Sequence, residues 1–407
     1  MALEFDFLTR PERSGMDALA VDFSGDGDGS MAPRRPKEGF SLIPMWVADM
    51  NFVAAPSVTE ALVARASHPS YGYFETRPEY YASIIRWQKE LHGVEGLGRE
   101  QIGYENGVLG GLATCVAAFT TPNEPILLHS PTYIGFTGCI TRLGRQIIHS
   151  PLVKDSDGIW RMDYEDMEQK IRENHIRFAV FCSPHNPTGG VWTREEIEKA
   201  MRIYEENDVL VISDEIWCDI LLNGNEHIPT QSVSEDARKR TIALYAPSKT
   251  FNLAGLIGSY HIIYNPYLKD RVSRQSRITG YNDMNVLSQH ALIGAYSEAG
   301  QRWVMELRQV LSENVNYSVS FIRENFPGVN VSTPQGTYML FPDIAEYLER
   351  TGKTYMEVLS AGWEVGVAWQ NGRPFHGETN IRMNLALPAK WVKEAFERLK
   401  QYVFTEK

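Results

Sequence analysis

The sequence predicts an α/β protein, a mostly parallel sheet with both faces covered, joined to a smaller α+β unit. Short continuous apolar runs alternate with amphipathic helical stretches through the middle of the chain. These runs lack the one-sided alternation of a half-exposed sheet, so helices must cover both faces. From about Val286 the pattern changes to long helical segments and then two further strand-like runs. A chain of 407 residues is too long for one compact core, which makes two domains the expectation.

The repeating unit is clearest between Ile176 and Ala246. "IRFAVFC" (Ile176–Cys182) reads as a buried strand, followed by the loop "SPHNPTGG". Thr193 and Glu196 then form a T-x-x-E capping box that opens a helix. Ile197, Ala200, Met201 and Tyr204 follow at helical spacing and make one apolar stripe, and Asn207 and Asp208 end it. "VLVIS" (Val209–Ser213) and "TIALYA" (Thr241–Ala246) supply the next strands. Near the end, "TYMLFPDI" and "NIRMNLAL" read as strands. In the latter, Ile381, Met383 and Leu385 share one face, and Arg382 and Asn384 point to the other.

Composition narrows the function classes. Hydrophobic residues make up 43% and charged residues 22%, an ordinary globular mixture, and a net charge of −11 argues against nucleic acid or an anionic membrane as partner. The amino-terminal "MALEFDFLTRPERSG" does not read as a secretory signal, and no apolar run is long enough to span a bilayer. Cys115, Cys139, Cys182 and Cys218 are scattered, which suggests buried free thiols in a reducing cytoplasm rather than metal ligands or disulfides. Residues Ser24–Gly39, rich in Gly, Pro and charge, read as a surface loop. Asp26 and Asp28 resemble a calcium loop only faintly, because the later bidentate Glu is missing.

In a parallel sheet, the loops after the strands line the ligand crevice. "SPHNPTGG", "DEIWCD" and "PSKTFN" all fall there. Lys249 in the third is either a solvated loop lysine or a reactive amine. Asp214, at the end of a buried strand, is either a helix cap or a paired carboxylate, since an unpaired one is costly there. "ENGVLGGLATCVAAF" leads glycines into an apolar helix, whose first amides can face an anion. Arg382 on a strand face suits a carboxylate clamp. No G-x-G-x-x-G follows a strand, which disfavours a dinucleotide enzyme.

Together "SPHNPTGG", "VLVISDEIW", "APSKTFNLAGL" and "IRMNLALP" resemble the class I/II aminotransferase superfamily, fold type I of the pyridoxal phosphate (PLP) enzymes. "PMWVADMNF", "YGYFETRPEYYASIIRW" and "DEIWCDIL" are similar to its cystathionine β-lyase-type C–S lyase branch. The likeness spans nearly the whole chain in consistent order. It implies a large PLP-binding domain over 46–289 with a mostly parallel, seven-stranded-type sheet. Residues 1–45 and 290–407 would form the smaller domain.

The resemblance also implies roles. Lys249 would carry the cofactor as a Schiff base and then serve as base and acid at the substrate Cα. Asp214 would pair with the pyridinium nitrogen, Asn186 would bond the phenolic oxygen, and Tyr133 would stack on the ring. Gly107, Val108 and Leu109 would offer backbone donors to the phosphate, with the Ser248 hydroxyl beside them. Tyr73 would reach the phosphate from a neighbouring subunit, implying a homodimer, with Tyr71 as the alternative register. Arg382 would hold the substrate α-carboxylate through two parallel hydrogen bonds. Trp46, Asp49 and Met50 would lie near the site mouth without a chemical role, and Glu215 has none that the pattern defends. Asn186–Pro187 and Ser130–Pro131 are candidates for cis peptide bonds.

Three positions depart from the family pattern. Ile257 stands where many members have a phosphate-gripping arginine, Trp217 where this branch often has histidine, and Ser183 where asparagine is common. C–S lyase relatives share the missing arginine. The expected activity is therefore β-cleavage of cystathionine or a related cysteine S-conjugate, with aminotransfer between an L-amino acid and a 2-oxo acid as the alternative.

Overall fold

The computed structural model describes residues 3–24, 32–280 and 283–405, so Asp26 and Asp28 lie outside the described residues. Its centre is a seven-stranded sheet. The strands are β1 (Ile102–Asn106), β2 (Pro125–Ser130), β3 (Gln146–Pro151), β4 (Phe178–Cys182), β5 (Leu210–Asp214), β6 (Thr241–Tyr245) and β7 (Gly258–Ile262). They lie in the order β1-β7-β6-β5-β4-β2-β3. Only β7 runs against its neighbours; the other pairings are parallel.

Both faces of the sheet are buried, and the period of two shows how. Ile126, Leu128, Phe178 and Val180 pack into one apolar cluster, whereas Leu127, Ala179 and Phe181 pack into the cluster on the opposite face. A strand whose successive residues all meet apolar partners has no reason to alternate in polarity.

Three helices bear on the site: α1 (Pro78–His92), α2 (Val108–Phe119) and α3 (Arg194–Glu206). The capping box of α3 forms as expected, with Glu196 N–H donating to Thr193 Oγ1 at 3.2 Å and Thr193 N–H to Glu196 Oε2 at 2.8 Å. Ile197, Ala200, Met201 and Tyr204 are buried against the sheet. Between β1 and α2 the chain turns at Gly107, whose φ of +74° is open to glycine at little cost.

Beyond the sheet, α4 (Glu298–Asn325) leads into a three-stranded sheet of β8 (Met339–Leu340), β9 (Gln370–Asn371) and β10 (Ile381–Asn384), with β10 in the middle. Ile43–Pro44 pairs in parallel with Val367–Ala368, which ties the amino-terminal segment to this carboxy-terminal part. The peptide bonds Ser130–Pro131 and Asn186–Pro187 are cis, as is Ser183–Pro184, which the sequence did not single out.

Candidate active site

Strand direction brings the site together. The carboxyl ends of β1, β2, β4, β5 and β6 share one edge of the sheet, as does the start of the reversed strand β7. A cavity of ≈ 320 Å³ opens there. Gly107, Val108 and Leu109 reach it from the β1–α2 turn, Tyr133 from the loop after β2, and Asn186 from the loop after β4. Asp214 comes from the end of β5, and Ser248 and Lys249 from the loop after β6.

Lys249 donates from Nζ to the Ala48 carbonyl at 2.9 Å. Burial, with the positive charge of Arg382 nearby, lowers its pKa to about 8, against the opposing pull of Asp49 and Asp214. Asp214 is buried, and desolvation raises its carboxyl to about 7. Its Oδ1 accepts the Ile216 N–H at 3.0 Å across the turn after β5, and among the described residues no helix begins there, so Asp214 is not the helix cap that was the alternative reading. A lysine near 8 and a carboxyl near 7 in one cavity make an acid–base pair poised around neutral pH.

Arg382 adjoins the cavity through Asn186, donating from Nη1 to Asn186 Oδ1 at 3.3 Å. Its Nε donates to Gln370 Oε1 at 3.0 Å and its Nη2 to the Trp46 carbonyl at 3.0 Å. The cross-strand pairing of Gln370 with Arg382 fixes that contact. The Phe375 ring lies 4.2 Å from the guanidinium carbon. Burial brings Arg382 down to about 10, which leaves it charged near neutral pH. Tyr133 is set edge-on to Phe136, with ring centroids 5.3 Å apart, and burial raises its phenol.

Tyr73 is not at this cavity. It is fully exposed, and with Tyr71 it lines a separate open cleft of ≈ 840 Å³. Tyr71 donates its hydroxyl to the Ala66 carbonyl at 2.6 Å. Within one chain, therefore, neither tyrosine meets Lys249. The cleft is larger than the site cavity, but among the described residues it gathers no comparable acid–base pair.

The segment 46–51 does more than border the mouth. Its carbonyls accept from site residues: Trp46 from Arg382, Val47 from Asn384 at 2.7 Å, and Ala48 from Lys249. Met50 exchanges two hydrogen bonds with Asn252, and Arg13 pairs with the Asp49 carboxylate at 2.6 Å. Backbone acceptors carry no residue-type signal, which is why sequence reading could not find them.

Glu215, for which the pattern defends no chemical role, has a clear structural task. It is fully buried and accepts from His227 and Tyr245, both at 2.7 Å, and from Ser213 at 2.9 Å. Burial alone would raise its carboxyl, but His227 and these hydroxyls hold it below its ordinary value. Asp219 is similarly saturated by Trp87 at 3.0 Å, His92 at 2.9 Å and Thr250 at 2.8 Å. His92, Cys218 and Asp219 come within 4.8 Å of one another. With both Asp219 oxygens already accepting, this is a hydrogen-bond network that anchors the residue next to Lys249. The histidine partners, twelve residues beyond Glu215 on one side and on α1 on the other, were the available signals.

Of the departures, Trp217 is buried on the cavity wall with its ring 5.7 Å from Lys249 Nζ. Ile257 lines the cavity in a left-handed conformation, φ +51°, an outlier for a β-branched residue. Its Cγ2 would lie 3.7 Å from a Cβ at Gly107, so an apolar group covers the β1–α2 turn. Ser183 is buried, and its hydroxyl has no partner among the described residues.

The family model for aminotransferase class I and II matches residues 49–399. The chain belongs to this family. Among individual members it is similar to cystathionine beta-lyase PatB of Bacillus subtilis (strain 168), 31% identical over 398 residues that cover 97% of this chain and 99% of that protein. It is also similar in structure to cystalysin from Treponema denticola, which contains PLP, with TM-score 0.89, 27% identity and 98% coverage of both chains. The PLP-bound C–S lyase from Staphylococcus hominis matches with TM-score 0.88 and 28% identity, covering 100% of this chain and 99% of its own.

The donor set fits PLP. The cavity offers an amine for an aldehyde, a buried carboxyl for a ring N–H and an amide for a phenolic oxygen. It also presents an aromatic ring, and a glycine turn at a helix N-terminus with a serine hydroxyl for a phosphate.

Proposed function

We infer that the chain is a PLP-dependent C–S β-lyase. It cleaves L-cystathionine or a related cysteine S-conjugate to a thiol, pyruvate and ammonia. The observation that carries this reading is the gathering of Lys249, Asp214 and the Arg382-bound Asn186 around one cavity, in a chain matched end to end by PatB.

Bound PLP supplies a ring that accepts the electrons released when a Cα–H bond breaks. This chain's residues do the rest. Lys249 takes the Cα proton, and a pKa near 8 leaves part of its population neutral at physiological pH. Asp214 would hold a proton at the cofactor's ring nitrogen, Asn186 would bond its phenolic oxygen, and Tyr133 would pack on the ring. The first amides of α2 at Gly107, Val108 and Leu109, together with Ser248, would receive the phosphate, and with an apolar side chain at Ile257 the helix N-terminus would carry more of that charge. Arg382 presents its fork to the substrate carboxylate and so fixes the Cα–H direction. With that proton gone, the Cβ–S bond breaks, the sulfur takes the proton from Lys249 and leaves as the thiol, and water hydrolyses the remainder to pyruvate and ammonia.

The reading extends to a homodimer in which Tyr73 completes the partner's phosphate site. Its full exposure beside Tyr71 and Phe74 supports this. Two domains, 46–289 and 1–45 with 290–407, are supported by the confinement of the seven-stranded sheet to 102–262 and by the pairing of Ile43–Pro44 with Val367–Ala368. Four buried free cysteines suit a reducing cytoplasm, and among the described residues no helix is long and apolar enough to cross a membrane.

The test is to give purified protein L-cystathionine with and without a 2-oxo acid. Pyruvate and thiol without an acceptor support the lyase; turnover only with an acceptor makes the protein an aminotransferase.

A further inference from the structure

The Tyr338 hydroxyl donates to the Ala48 carbonyl at 3.1 Å. That is the same oxygen that receives Lys249 Nζ at 2.9 Å. We propose that Tyr338 is a positioning residue for Lys249: by occupying one lone pair of the Ala48 carbonyl, it weakens that oxygen's hold on the lysine ammonium and favours the neutral amine. The proposal rests on the PLP reading of the site, since it concerns the amine that would carry the cofactor.

Three features show that this hydroxyl is aimed. Tyr338 is fully buried, so its O–H has no water to turn to and points at a fixed acceptor. Trp217 packs edge-on against its ring, centroids 4.7 Å apart, and the same indole lies beneath Lys249 Nζ. The preceding residue, Thr337, is held at φ +65°, an unfavourable conformation for a β-branched side chain. Its N–H donates to the Ile220 carbonyl at 2.9 Å, and its hydroxyl receives the Met339 N–H at 3.0 Å. The local fold thus accepts backbone strain at the position that directs Tyr338, a pattern found where a residue's orientation has a use.

The sign comes from the acceptor. An ammonium depends on a carbonyl partner more than a neutral amine does, so an oxygen already shared with a hydroxyl supports the charged form less. The charged groups facing Lys249 are Arg382 from β10, Asp214 from β5 and Asp49 from the 46–51 segment. A Tyr338→Phe change leaves all three in place. It frees the Ala48 oxygen for Lys249 alone and moves the amine's protonation to higher pH.

The experiment uses the full-length chain, freed of cofactor by dialysis against a small primary amine. PLP is added back, and the visible band of the lysine-bound cofactor is followed from about pH 6 to about pH 10, the range that brackets a lysine lowered by burial. Tyr338→Phe is expected to take up PLP roughly threefold more slowly near pH 7 and at the wild-type rate near pH 9.5, where both amines are neutral. Profiles that superimpose, or slowing by one factor at every pH, would overturn the proposal; the second is what a merely structural role would give. Should Tyr338→Phe fail to fold, 3-fluorotyrosine at the same position, a stronger donor, must speed uptake at low pH, and an unchanged or slower rate there overturns the proposal. Failure of the wild-type chain to form the band at all would instead sink the PLP reading itself, and this proposal with it.

Discussion

Arg382 Nη1 donates to Asn186 Oδ1 across 3.3 Å, joining residues 196 positions apart in the sequence. One is expected to hold the substrate carboxylate and the other to touch the cofactor. Their contact makes substrate binding and cofactor orientation parts of one hydrogen-bond system, with Gln370 and the Trp46 carbonyl bracing the far side.

Replacing Arg382 should therefore cost more than one contact. Arg382→Ala leaves Asn186 and Gln370 without their donor and should lower kcat/KM by about 2–5 kcal/mol, the range for breaking a buried charged pair. Arg382→Lys keeps the charge but loses the planar fork, so its defect should lie mainly in KM. Steady-state kinetics on cystathionine with the two variants separate these outcomes.

Asp214 trades stability for function. With its folded carboxyl raised to about 7, the cofactor-free protein binds more protons than the unfolded chain between the two pKa values. Its contribution is complete below the unfolded value near 4 and is lost as the pH rises through about 7. Asp214→Asn should thus raise the Tm of the cofactor-free chain at about pH 8, by at most ~4 kcal/mol of stability, with little change near pH 4. The same variant should lose lyase activity. Calorimetry at the two pH values would refute this account if the gain were larger in acid.

Ile257 lines the cavity beside the glycine turn proposed for the phosphate and holds a left-handed backbone conformation. Ile257→Arg removes a β-branched residue from φ +51° and places a guanidinium near the glycine turn. Cofactor retention during dialysis should improve by about tenfold, worth ~1.4 kcal/mol, as expected of a charge-assisted bond to phosphate. Retention equal to wild type would mean that the α2 amides already satisfy the phosphate.

His227→Ala should destabilise the fold by about 3–5 kcal/mol, because it leaves the buried Glu215 charge short of its principal partner. The urea midpoint measures the loss. A midpoint within error of wild type would show that Tyr245, Ser213 and Thr230 suffice.

Lys249→Ala should abolish the visible band of the bound cofactor and reduce turnover at least a thousandfold, since both the covalent attachment and the Cα base are lost. A variant that keeps the band would refute Lys249 as the attachment point.

Much of the architecture was legible because it is written in local patterns. The continuous apolar runs at 178–182 and 210–214 are strands because helices bury both faces, and Thr193 with Glu196 caps α3 through bonds three residues apart. Chain order alone put Asn186, Asp214 and Lys249 after successive parallel strands, hence at one edge of the sheet. The long-range pairings were not legible. That the Ala48 carbonyl would meet Lys249 and Tyr338, that Gln370 would brace Arg382, and that Glu215 would face His227 depend on how distant segments pack. Sequence determines backbone periodicity and the residue types available to a site. Only tertiary packing decides which buried polar groups meet, because each must find whatever donor or acceptor the folded chain brings within reach.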